Sequence, residues 1–109
     1  MPPYMIRRDV GQVSQEDVDA AAYRAITCAF HFSEMRWIKS YWDREAGVIR
    51  CIYEARTAND IYEHAARARI DCNEVKEVTE LGPELHWRTG GATHLRLSHL
   101  EAARARVRS

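Results

Sequence analysis

His64, Cys51, Tyr41 and Glu54 are the side chains of this 109-residue chain whose types and spacing point to chemistry. An imidazole and a thiolate are donors for nickel or zinc, and an imidazole that titrates near neutral pH also serves as a general base. Cys51, Tyr53 and Glu54 lie together in one short run. Alternation along a strand sends Cys51 and Tyr53 to one face and Glu54 to the other. Tyr41, across a hairpin from Cys51, is expected to share an enclosed interior with it. His64 falls three residues after Ile61 and four before Ala68, at the edge of an apolar helical face, where it can point toward a sheet. Each residue also has a plainer reading. His64 suits a helix-surface histidine bonded to a neighbour. Cys51 suits a small buried hydrophobe beside a tyrosine. Glu54 suits an ion pair with Arg7, Arg50 or Lys76.

Other chemical residues say less. His31, at the end of a helix, is well placed for the helix dipole. His86, His94 and His99 are spaced by eight and five, which matches no standard metal motif. Cys28, Cys51 and Cys72 form no CxxC pair, so neither a disulfide framework nor a zinc knuckle is expected. Trp37 and Trp42 suit core and interface packing. The chain carries no phosphate-binding glycine loop, no HExxH and no GxSxG.

The elements that must hold these residues follow from periodicity. Residues 4–9 read as a first strand. Ser14, with Asp17 three residues on, caps a helix whose inner face is Val18, Ala22, Ala25, Ile26 and Ala29, running to about His31 or Phe32. Residues 35–43 and 48–54 are aromatic and β-branched strands, joined by a hairpin in which Gly47 supplies a positive φ. Thr57 caps a second helix with Ala58, Ile61, Ala65 and Ala68 inward, ending near Arg69. Residues 74–80 alternate as a fourth strand. The order β-α-β-β-α-β predicts an α+β, ferredoxin-like fold, with a four-stranded antiparallel sheet and both helices on one face.

Strict alternation sets Trp37, Lys39 and Tyr41 opposite Arg36, Ile38, Ser40 and Trp42 on the second strand. Both faces of the sheet then hold large apolar groups, more than a solvated face would carry. A homodimer that stacks sheet on sheet, as in dimeric α/β-barrel assemblies, is the expected remedy.

Sixteen basic residues balance sixteen acidic ones. Nothing in the overall charge pulls the chain toward nucleic acid or an anionic membrane, and no apolar run is long enough to span a bilayer. Free thiols and the lack of a secretory signal point to the cytoplasm. Residues 1–82 form the expected domain. Residues 83–109 form a basic tail, where Ser98 and Glu101 cap a short helix bearing Leu100, Ala103 and Val107. Residues 82–109 hold five basic and two acidic groups.

The runs Arg36-Trp37-Ile38-Lys39-Ser40-Tyr41, Cys51-Ile52-Tyr53-Glu54-Ala55, Glu63-His64-Ala65 and Val75-Lys76-Glu77-Val78 resemble a bacterial family of small domains, one of whose members is a nickel-responsive, nickel-binding protein. Ile6-Arg7-Arg8-Asp9 and the Ser14-led helix are similar too, so the resemblance covers about residues 4–80. It implies a ferredoxin-like domain in a dimeric barrel. The function it suggests is a homodimeric module that binds nickel, another transition metal or a small molecule, with His64, Cys51, Tyr41 and Glu54 as metal contacts. A cofactor-free enzyme of the dimeric α/β-barrel type is the alternative, by fold analogy. A third possibility is an interaction protein that docks through its basic tail.

Overall fold

The structure, a computed structural model, describes residues 1–84. The expected tail helix at Leu100, Ala103 and Val107 lies outside them. The elements are β1 (Pro3–Asp9), α1 (Gln15–Ala29), β2 (Arg36–Asp43), β3 (Val48–Glu54), α2 (Ala58–Ala68) and β4 (Glu74–Glu77). The sheet order is β2-β3-β1-β4, every neighbouring pair antiparallel. This is the ferredoxin-like arrangement that the periodicity predicts.

Local chemistry sets the element ends. Ser14 and Asp17 close a reciprocal capping box, with Asp17 N–H donating to Ser14 Oγ at 3.1 Å and Ser14 N–H to the Asp17 carboxylate at 3.2 Å. Thr57 Oγ1 accepts from Asp60 N–H at 3.2 Å. The first helix stops earlier than its pattern suggests. After Ala29, Phe30, His31 and Phe32 continue as tighter turns, each N–H donating to the carbonyl three residues back. The second helix ends as expected at Arg69, which takes a left-handed φ of 56°.

Gly47 holds the hairpin. Its φ is +70°, and a Cβ there would stand 2.7 Å from the Gly11 carbonyl oxygen. The Gly47 carbonyl in turn accepts from Val10 and Gly11 N–H, at 2.9 and 3.0 Å. The hairpin is thereby tied to the loop that leads from β1 into α1.

The core lies between sheet and helices. Tyr4, Ile6, Cys51, Tyr53 and Ile61 are buried there with Met35 and Ala55. The α1 face differs from the expected stripe at one residue. Ala25 is buried, but Ile26 is 49 % exposed, beside exposed Tyr23 and Phe30.

The largest departure is in β2. A bulge between Trp37 and Lys39 resets the alternation, so Trp37 pairs with Tyr53, Ser40 with Cys51 and Trp42 with Ile49. Both tryptophans therefore face the helices, rather than opposite sides as strict alternation requires. The outer face keeps Met5, Val48, Ile52 and Tyr41, set among Arg7, Lys39, Arg50, Glu54 and Lys76. It is more polar than the sequence pattern suggests.

Candidate functional site

A cavity of about 390 Å³ opens between α1 and the inner face of the sheet. It exists because the helix is thin there. Ala21, Ala22 and Ala25 face Trp37, Trp42 and Ile49 across it. Protein interiors are normally close-packed, and sites for small molecules start at about 300 Å³. The cavity therefore has the size of a ligand site, with walls that are mostly apolar.

One charged group stands in that wall. Alternation along β1 turns Tyr4, Ile6 and Arg8 inward, and Arg8 is only 5 % exposed. Its Nη1 donates to the Asp71 carbonyl at 2.7 Å and its Nε to Cys51 Sγ at 3.4 Å. The guanidinium carbon is 5.8 Å from the centre of the Tyr53 ring. Its Nη2 is buried and has no hydrogen-bond partner among the described residues. Among the described residues, no carboxylate forms an ion pair with it.

Trp42 repeats the pattern. Its indole Nε1 is also buried without a partner among the described residues, while Arg44 covers the ring at 4.0 Å. The neighbouring Trp37 is satisfied, donating to Ser40 Oγ at 2.8 Å. The register puts Arg8 beside Ile49 and Ile49 beside Trp42, so both orphan donors belong to one row across the sheet.

Behind Arg8 lies a buried ring cluster. Burial pushes the Tyr53 phenol up to about 12, although the Arg8 guanidinium pulls the other way, so the phenol is neutral. His64 is fully buried, 5.5 Å from the Tyr53 ring and 5.8 Å from Phe32. Its Nε2 lies 2.8 Å from the Ala25 carbonyl oxygen, which can only accept, so Nε2 carries the proton and Nδ1 is a bare lone pair with no partner among the described residues. Burial lowers the His64 pKa. The Ala25 carbonyl raises it and the Arg8 charge lowers it further, and the net result favours the neutral ring. Burial likewise pushes the nearby Cys72 thiol up.

The four residues singled out from the sequence do not converge. Cys51 and His64 lie on the helix side of the sheet, both close to Tyr53. His64 is a core residue bridging α2 to α1, not the surface histidine of the plainer reading. The β2 bulge sets Cys51 opposite Ser40 and Tyr41 opposite Arg50, so Tyr41 is on the outer face, 64 % exposed. Glu54 shares that outer face. It pairs with Arg36 at 3.0 Å instead of Arg7, Arg50 or Lys76. Among the described residues, no three His, Cys, Asp or Glu side chains group as metal ligands do.

Arg8 and Trp42 are the functional candidates that motif reading passes over. A signal for Arg8 was present, because it is the charged third member of the inward series Tyr4, Ile6, Arg8. Trp42 gave none, since its facing depends on the bulge.

Residues 4–78 match the family model described as nickel responsive protein SCO4226-like. No curated protein matches the chain. Among solved structures, SCO4226 from Streptomyces coelicolor A3(2) superposes with a TM-score of 0.66 at 17% identity, over 73% of this chain and 99% of that one. A likeness at that identity bears on the fold.

Proposed function

The chain belongs to the nickel responsive protein SCO4226-like family, and on that premise we propose that it is a ligand-binding module whose ligand occupies the cavity between α1 and the sheet. The observation that supports this most is the cavity itself, ligand-sized and walled by Trp37, Trp42 and a buried arginine. Binding is favoured over catalysis by the state of the nearby groups. A cofactor-free enzyme needs a base inside its pocket, whereas the Tyr53 phenol is held protonated, His64 is not among the cavity's walls, and the two wall carboxylates, Asp17 and Asp71, are exposed to solvent. The module works as a homodimer joined through the outer sheet face, where Met5 and Tyr41 are exposed beside half-buried Ile52.

The test is uptake of naphthalene-sized probes, 2-naphthamide and 2-naphthoate, followed by titration calorimetry. Saturable binding of either, abolished when Ala22→Phe fills the cavity, is the expected result. Uptake of neither probe would sink the reading.

Nickel is the second reading, supported by the family's description and by the neutral His64 ring with its free Nδ1. The described residues of one chain do not fit a closed nickel site. His64 and Cys51 are two donors, and Cys51 Sγ already accepts from Arg8. Tyr41 and Glu54, on the outer face, would need further donors from a second copy of the chain.

A further inference from the structure

We infer that the cavity takes small organic carboxylates, with the carboxylate oxygens accepting from Arg8 Nη2 and Trp42 Nε1 and a ring-sized apolar body lying under α1. The inference rests on the cavity being the ligand site.

Two buried donors in one cross-sheet row lack acceptors among the described residues. Buried polar groups are nearly always paired, and an unmatched donor in a low-dielectric site is costly. One of the two is a cation. Its Nη1 is bonded to a backbone carbonyl and its Nε to the Cys51 sulfur, and no carboxylate among the described residues pairs with it. A water molecule could accept from such donors but would leave the charge uncompensated. A carboxylate has lone pairs enough for both donors and supplies the missing charge, making a charge-assisted bond with the guanidinium.

The other charged groups at the cavity agree. Arg24 and Arg69 also line it, against Asp17 and Asp71. The Asp17 carboxylate is exposed and engaged in capping Ser14. Asp71 is exposed and meets Arg8 through its backbone carbonyl. Neither carboxylate neutralises Arg8. The apolar walls argue for a singly charged acid over a phosphate, which would bury most of its oxygens against carbon.

The experiment is titration calorimetry with three probes of one body, 2-naphthoate, its neutral isostere 2-naphthamide and 2-naphthyl phosphate. The acid is expected to bind about ten- to a hundredfold more tightly than the amide, the range for a charge-assisted pair. Arg8→Met should erase that preference by weakening the acid far more than the amide, and Trp42→Phe should reduce it in part. Equal binding of acid and amide, or acid binding indifferent to Arg8→Met, would overturn the carboxylate assignment and leave the cavity reading standing. Tighter binding of the phosphate than of the acid would overturn the choice of anion. Uptake of none of the probes would remove both. Should Arg8→Met fail to fold, the wild-type ratio of acid to amide, read with Trp42→Phe, decides the matter.

Discussion

Arg8 and Trp42 stand on opposite sides of Ile49 in a single row across the sheet, and each holds a buried hydrogen-bond donor that nothing in the described chain accepts. Strands β1, β3 and β2 bring them together, across more than thirty residues of sequence. Their shared lack of an acceptor distinguishes this row from ordinary core.

The first prediction concerns Arg8 in the ligand-free protein. If the residue serves a ligand, its buried charge is a burden to the fold rather than a support. Arg8→Met loses the bond to the Asp71 carbonyl, on an exposed residue that water can resolvate. It also removes an uncompensated buried cation. The two effects offset, so urea unfolding should show a change within about 1 kcal/mol. A loss above about 3 kcal/mol would mark Arg8 as a structural residue.

His64 should behave in the opposite way. It is fully buried, and its Nε2–H to Ala25 joins the two helices. Truncation to alanine leaves a hole and is expected to cost about 3 kcal/mol or more. His64→Phe keeps most of the volume and should cost about 1 kcal/mol, the worth of the bond. Near-neutral behaviour of His64→Ala in thermal and urea unfolding would contradict the core placement.

The same residue sets a pH dependence. The folded His64 pKa lies below the unfolded 6.5, because burial disfavours the charged ring. Between those two values the unfolded chain binds more protons, so stability rises with pH. The His64 contribution is complete above about pH 6.5 and is lost as pH falls toward the folded pKa. Tyr53, whose ring faces His64, has its phenol pushed up to about 12 and keeps its proton throughout this window. His64→Phe should flatten that part of the stability–pH curve, and an unchanged slope would refute the assignment.

Gly47 and Gly11 offer a matched pair. Both have φ of +70°, yet an added Cβ at Gly11 meets open space, whereas at Gly47 it strikes the Gly11 backbone. Gly11→Ala should cost about 1 kcal/mol of backbone strain. Gly47→Ala must also push the β1–α1 loop away, and about 2–3 kcal/mol is expected. Equal costs in denaturant titration would show that the contact yields freely.

Much of the fold was legible in the sequence, because caps and periodicity are local. Ser14-Asp17 and Thr57-Asp60 mark both helix starts, and the apolar spacing of α2 delivers Ile61, Ala65 and Ala68 to the core. The site was less legible. A β-bulge shifts every later side chain of its strand to the other face, so Tyr41 and Trp42 exchanged places relative to a strict count. The inward alanines of α1 read as ordinary helix formers. Only against the facing tryptophans do they become the roof of a cavity. Whether His64 Nδ1 or Trp42 Nε1 has a partner depends on tertiary contacts that no spacing rule encodes.

The most direct test of the cavity as the binding site is the ¹H–¹⁵N spectrum of the chain titrated with 2-naphthoate, read at the indole N–H of Trp42 and the Nε–H of Arg8. Saturable shifts of both signals, together with backbone shifts at Ala22 and Ala25 above them, are predicted. Shifts confined to the outer face around Tyr41 and Ile52, or none at all, would contradict it.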